Sequence, residues 1–394
     1  MAISAIINNP TAFVYVAPPP SDDLPGEAWV WGNNSFGQLG VGDTTQRLTP
    51  VMITGHSFSR LAGCEHHSLA LKADGTLWAW GRNANGQLGD NTTTNRSAPI
   101  QIGTQSFKRI NAGGTFSNAL DKNDGSAWGW GSNNLGQLGD NTNTNRSTPV
   151  STVGGHSFID ISGGYDFNGS SAGCIALKAD GSVWGWGNNN FGQVGDGTST
   201  SRQSPVSVVG GHSFTKIAAN GITSYAIRGD GTLWAWGIND QGQMTISGGG
   251  AGTGATHNSP VEIGFGLTTW IDVSCEWRSM MAIKSDGTVW ACGYNQSGSR
   301  LGVNSVAAGV STFTQVITAQ SFTNIAMGQH DQAVVGHTLA RKSSDGSLWA
   351  WGDNSGGCLG DNTGTARSSP TSVFGAHSFA AVYHSGQHSL AKKL

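Results

Sequence analysis

A tetrapeptide that returns about every fifty residues constrains this chain more than any other feature. Trp-x-Trp-Gly ends at Gly32, Gly81, Gly131, Gly187, Gly237 and Gly352, and a seventh copy ending at Gly293 has Cys292 in place of its second Trp. The seven copies use 13 of the 15 tryptophans. A period of roughly 20–50 residues marks repeat architectures, in which one unit cannot bury its apolar face alone.

The rest of each repeat is equally regular. Gly-Gln-Leu-Gly turns follow at 37–40, 86–89 and 136–139, with Gly192-Gln193-Val194-Gly195 as a variant. Polar Asp/Asn/Thr loops come next, and then an Arg three residues before a Pro, as in Arg96 and Pro99. An aromatic anchor such as Phe107 and a short apolar run such as 68–72 complete the unit. Short runs of Val, Ile, Leu and Trp between Gly, Asn and Asp-Gly clusters read as β-strands, and nothing sustains a helical period. Asp-Gly at 74–75, 124–125, 180–181, 230–231, 286–287 and 345–346 signals six hairpins, expected as type I′ turns.

Each hairpin joins the end of one repeat to the start of the next, so a blade is offset from a repeat. A seventh hairpin is missing, but its halves, Ala28 to Gly32 and His388 to Lys392, stand at the two ends of the repeat region. Pairing them predicts an all-β, seven-bladed β-propeller closed by N- and C-terminal strands, without an open edge between first and last blades. The domain division is 1–26 as an extended N-terminal arm and linker and 27–394 as the propeller. Alternate strand residues share a face, so Trp78 and Trp80 point together while Ala79 points away. Each Trp stabilises the packed blades by up to about 4–6 kcal/mol.

Composition narrows the partners. Charged residues make up 11% of the chain, with 21 basic against 24 acidic and a net charge of −3. Nucleic-acid binding draws its affinity from excess Lys and Arg, and no excess exists, so no nucleic-acid partner is expected. The absence of any 18-residue apolar run predicts no membrane insertion. No signal peptide is read, because the first apolar stretch is cut by Asn8, Asn9 and Pro10. Five cysteines, odd in number and widely spaced, argue against a disulfide framework or a Cys-x-x-Cys metal site.

The motifs Asp-Gly-Thr-Leu-Trp-Ala-Trp-Gly (74–81), Asn-Gly-Gln-Leu-Gly (85–89), Arg-Ser-x-Pro (96–99) and His-Ser-Leu-Ala-Leu (67–71) resemble those of the regulator of chromosome condensation repeat family. The resemblance runs from about Gly26 to Leu394 and implies a seven-bladed propeller; the member is read as bacterial or phage. The family's best-known activity is guanine-nucleotide exchange on a Ran-type GTPase, while many members are interaction modules. Departures gather in the fifth and sixth repeats: Gln243-Met244-Thr245 replaces the Gln-Leu-Gly turn, the sixth copy lacks its Arg and Pro, and Cys292 replaces a Trp.

Catalytic motifs are missing: there is no nucleophile elbow, zinc-binding His-Glu-x-x-His or phosphate loop. No enzyme activity, cofactor or metal is expected. His67, His337 and His388 occupy one equivalent position on three blades that ring closure makes neighbours. They could form a metal or proton site, but hydrogen bonding that holds a loop is the preferred reading. Asp-Asn-Thr loops miss the calcium-loop alternation and are read as turn-stabilising, with pairs such as Asp90 and Arg96. Trp277 lies outside both repeated aromatic positions and is the candidate exposed interaction residue.

Ala12, Phe13, Val14, Tyr15 and Val16 read as a strand, followed by a polyproline spacer at 18–20. Strand addition to another subunit of an assembly is the expected use of this arm. Irregular loops near 164–173, 245–258, 303–312 and 329–336 are further binding candidates. The preferred functional expectation is a non-enzymatic structural or interaction propeller displayed on a particle or surface. In that reading it is a phage virion decoration, tail or fibre protein anchored by the arm, with a surface receptor or glycan as a possible ligand. The alternative is a cytoplasmic protein-binding regulator of the exchange-factor type.

Overall fold

A computed structural model describes residues 24–164, 172–246, 255–264, 267, 269–295, 300–303, 308–316, 318–328, 336–383 and 385–394. Among the described residues every regular element is a strand. The first blade shows the plan: Arg60–Gly63 lies innermost, His67–Leu71 and Thr76–Gly81 follow, and the start of Arg96–Ala112 is outermost, all antiparallel. Arg96–Ala112 then continues inward as the innermost strand of the second blade, so two blades share one seven-stranded sheet. Five four-stranded sheets complete seven blades.

The ring closes as expected. Glu27–Gly32 pairs antiparallel with His388–Lys393 over six residues, from Glu27 with Lys393 to Gly32 with His388. Lys392, on the C-terminal strand, clasps this seam: its buried ammonium donates to the carbonyls of Leu24 (2.9 Å), just before the N-terminal strand, and Ser59 (2.7 Å), at the entry to the first blade. The seven innermost strands touch one another in order, the last meeting the first. Short polar side chains tie them together. Ser162 Oγ accepts from Ala219 N (2.9 Å), Ser274 Oγ from Met327 N (2.8 Å) and Asn324 Oδ1 from Val382 N (2.9 Å). Lys216 and Asp272 add an ion pair at 2.5 Å.

The Asp-Gly hairpins fall where expected but are not type I′. Gly75 has φ +93° while Asp74 does not enter the left-handed region, and Gly75 N donates to Lys72 O at 2.9 Å. That is a three-residue loop whose glycine supplies the left-handed step. Asp74 is used as a side chain instead, accepting from Thr76 N and Oγ1 at 2.9 and 2.8 Å.

Outermost strands leave a free edge. Pro50, Pro99, Pro149, Pro205, Pro260 and Pro370 sit in six of them, where a residue without N–H weakens pairing with another chain. Only the fifth-blade strand, Gly309–Gln315, lacks one.

Candidate interaction face

The two tryptophans of each motif have different roles. Trp31, Trp80, Trp130, Trp186, Trp236 and Trp351 are fully buried between blades, while their partners two residues earlier are half-buried. Four of the half-buried rings, Trp29, Trp78, Trp184 and Trp234, lie between a histidine and a cation: Trp184 has His156 at 4.0 Å and Lys178 at 4.1 Å, and Trp78 has His56 at 4.8 Å and Lys72 at 4.3 Å. Only the second Trp of each pair therefore gives the full core contribution.

The buried indole also joins blades. Trp80 Nε1 donates to Gln38 O (2.8 Å), Trp130 to Gln87 O (2.8 Å), Trp186 to Gln137 O (3.0 Å) and Trp236 to Gln193 O (2.9 Å), always onto the preceding blade. Those carbonyls are presented by the Gly-Gln-Leu-Gly loop, which folds on its own side chains: Asn34 Oδ1 accepts from Leu39 N and Gln38 Oε1 from Phe36 N, both at 2.9 Å. The polar rim beyond is closed by Arg on Asp. Asp140 Oδ1 takes Asn133 Nδ2 and Thr142, and its Oδ2 takes Arg146. Burial works against the charge of Asp140, but the Thr142, Arg146 and Asn133 bonds outweigh it and lower its pKa.

His67, His337 and His388 stand on consecutive blades, all buried. They do not converge; each spans one seam. His388 Nε2 meets Ser68 Oγ (2.8 Å), His67 Nε2 meets Ser117 Oγ (2.8 Å) and His337 Nε2 meets Ser389 Oγ (2.9 Å). Each serine hydroxyl donates in turn to the same carbonyl as the indole: Ser68 to Gln38 O, Ser117 to Gln87 O and Ser389 to Cys358 O. The serine therefore accepts, and the histidine carries its proton on Nε2. Burial, then neighbouring histidines, pushes His388 down to about 3; burial and His66 do the same for His67. Neutral imidazoles serve as donors here. Among the described residues no group of three or more His, Cys, Asp or Glu is placed to hold a metal ion, and the five cysteines are free and buried.

Sequence reasoning missed these seams because their partners lie about fifty residues apart. The recurring Ser after His was the available signal. Opposite each histidine is the Gly that ends Trp-x-Trp-Gly; at Gly81, with φ +104°, a Cβ would meet His66 O at 2.4 Å. Both its backbone angle and the close approach require glycine.

Trp277 lies in the loop between Trp270–Glu276 and Ser279–Lys284, on the face that carries the Gly-Gln-Leu-Gly turns. It is half-buried, with the Arg278 guanidinium 3.9 Å from its ring centroid and Tyr294 edge-on at 6.1 Å. Arg278 Nη2 pairs with Asp240 Oδ2 at 2.7 Å. Arg300 stacks on Tyr294 at 5.3 Å and forms a buried ion pair with Glu276 at 3.1 Å. Trp, Tyr and Arg are the side chains most often responsible for interface energy. The surroundings of Trp277 were not legible because Tyr294, at a strand end, and Arg300, in a turn, are brought to it only by folding. Ala12, Phe13, Val14, Tyr15 and Val16 lie outside the described residues, as do the central parts of the four irregular loops.

A closed ring of seven four-stranded blades, with the tryptophan seams buried and an aromatic-basic cluster on one face, defines a β-propeller scaffold. The regulator of chromosome condensation (RCC1) repeat matches residues 25–71, 74–120, 124–169, 180–226 and 345–391, with a second model of the same repeat at 158–193. The chain belongs to that repeat family. The five matched segments skip 227–344, which contains Trp277. Prp20p from Saccharomyces cerevisiae is similar in fold (TM-score 0.81, 21% identity, 97% of this chain and 96% of that one). So is human WBSCR16 (TM-score 0.79, 20% identity, 94% and 99%). Human E3 ubiquitin-protein ligase HERC2 is 28% identical over 212 residues, which is 51% of this chain but 4% of that protein.

Proposed function

We propose that the protein is a non-catalytic, cytoplasmic, protein-binding regulator that docks its partner on the face bearing Trp277. The observation that carries this reading is the Trp277–Arg278–Tyr294–Arg300 cluster, set in the one sector where the repeat pattern lapses. Every other tryptophan lies within a strand. In the fifth blade Trp277 and Arg278, both half-buried, stand together in a loop, with Tyr294 and the buried Arg300 braced behind them. The solved structure of Prp20p is described with its binding to Gsp1p and histones, which supports a protein-binding use of such a ring. Display on a phage particle draws no support from the relatives, and assembly through 12–16 stays a separate proposal.

Partner capture by the full chain, compared with Trp277→Ala/Arg278→Ala, tests the reading. The double variant should fold normally and lose binding by at least about tenfold. A partner retained equally by both would overturn it. Fluorescent-nucleotide release from a Ran-type GTPase decides the narrower question. Acceleration that the double variant loses establishes the exchange-factor form, and its absence with Trp277-dependent binding leaves a regulator of another kind.

A further inference from the structure

The glutamine of Gly-Gln-Leu-Gly, or of its variants, braces its own turn in five blades. Its Oε1 accepts the backbone N–H two residues earlier, at 2.8–2.9 Å, for Gln38, Gln87, Gln137, Gln193 and Gln243. At Gln193 the amide nitrogen donates to Asn188 Oδ1 (2.8 Å) on its own blade and to Gly221 O (2.9 Å) on the next. Gln38 repeats this with Asn33 Oδ1 and Glu65 O. In these two seams the side-chain carboxamide is a plug between blades, held by one donor and two acceptors, whereas Gln243 donates within its own blade to Ile238 O (3.0 Å) and the buried amide nitrogens of Gln87 and Gln137 have no partner among the described residues.

The sixth blade has Cys358 at this position. Its backbone behaves as the others do, the carbonyl taking Trp31 Nε1 at 2.9 Å and Ser389 Oγ at 2.7 Å. Its side chain is too short to plug the seam, and the thiol turns away to Asp353 O at 3.0 Å. A cavity of 140 Å³ lies here, lined by Asp353, Gly356, Cys358, Gly386 and Gln387 among others. That is about ten times the ~10–15 Å³ a single water needs. The lining keeps the groups that the plug would use. Gly356 is the residue two before Cys358, and its N–H makes no hydrogen bond among the described residues. Asp353 stands where Asn33 and Asn188 stand, and Gly386 where Glu65 and Gly221 stand.

We propose that this cavity is a receptor for a primary carboxamide, the side chain of a Gln or Asn presented by a protein partner. The guest oxygen takes the Gly356 N–H, and its two amide hydrogens go to the Asp353 carboxylate and the Gly386 carbonyl. The partner supplies from outside what Gln38 and Gln193 supply from within. An amide bearing methyl groups on nitrogen cannot make the two donations, and a carboxylate would face Asp353. The site lies on the same face as Trp277 and extends the protein-binding reading, but it involves different residues, so either can fail alone.

The test is an NMR titration of the isotope-labelled full chain with acetamide, N,N-dimethylacetamide and acetyl-glutamine methylamide, read at the Gly356 and Gly386 amides. Acetamide should bind saturably, with a dissociation constant of millimolar order. Dimethylacetamide should be at least about tenfold weaker and the capped glutamine at least as strong as acetamide. Cys358→Gln should rebuild the internal plug, raise the melting temperature and reduce the acetamide response at least about tenfold. Equal responses to the two small amides, no response to acetamide, exclusion of the capped glutamine, or an undiminished response in a folded Cys358→Gln chain would each overturn the proposal. Should that variant not fold, the comparison of amides on the wild type decides by itself.

Discussion

The seam between the first and second blades and the seam between the fourth and fifth solve one problem with different residues. At the first, Gln87 O receives the Trp130 indole and the Ser117 hydroxyl, both at 2.8 Å, and His67 holds the serine from behind. At the second, Gln243 O receives the Cys292 thiol at 3.5 Å and the Tyr225 hydroxyl at 3.2 Å, while Met280 stands where the serine would be. Tyr225, Met244, Met280 and Cys292 are all fully buried in one cluster. The volume of a lost tryptophan has been refilled by a tyrosine from the preceding blade and by flexible methionines. One seam further on, the Trp351 indole N–H has no partner among the described residues, and Arg300 replaces the glutamine to form its buried pair with Glu276. The backbone ring tolerates these exchanges because the seam needs a filled volume and a satisfied carbonyl rather than one residue type. The sector so released carries Trp277.

Opening the ring should have the largest effect. Deleting 388–394 removes the strand that pairs with Glu27–Gly32, along with the Lys392 clasp. It should cost more than about 5 kcal/mol and unfold blades far from the deletion; an unchanged melting temperature would deny that closure matters. Trp80→Ala should cost about 3–5 kcal/mol in urea denaturation, against about 1 kcal/mol for Cys292→Ala. Cys292→Trp sharpens the contrast: it restores the repeat motif but overfills the Tyr225 cluster, and should destabilise by about 1–3 kcal/mol. A stabilised variant would show that the refilling described here is wrong.

The histidine seams make stability depend on pH. His67 and His388 are held near 3 when folded, against about 6.5 when unfolded. The unfolded chain therefore binds more protons between those values, and stability present above about pH 6.5 falls as the pH drops toward 3. The slope is up to about 1.4 kcal/mol per pH unit for each histidine. His67→Gln should flatten that slope by roughly one proton's share. The smallest stability effect belongs to Trp277→Ala, about 0.5 kcal/mol or less, because its ring packs on Arg278 and Tyr294 rather than inside a blade.

The regular part of the molecule was legible because a repeat announces itself: the period located the blades, Asp-Gly located the hairpins, and two unpaired half-hairpins predicted the closure. Type I′ geometry was misjudged because Asp74 serves as a side-chain acceptor and leaves the left-handed step to Gly75. The histidines were recognisable as a set, but not their serine partners on the next blade. Trp277 was recognisable because it broke the aromatic spacing. The stack of Arg278, Tyr294 and Arg300 around it required two separate connections of the fifth blade to be folded together. Cys358 entered the sequence reading only as one of five scattered cysteines; the seams of Gln38 and Gln193 show what a glutamine at that position fills.

A hydrogen–deuterium exchange footprint of the propeller saturated with its captured partner tests the central claim most directly. Protection concentrated at 276–278 and 294–295, with the rim loops at 90–96 and 140–146 unchanged, is the predicted result. Protection confined to the opposite face, at the turns carrying His156 and His212, with 276–295 unaffected, would contradict it.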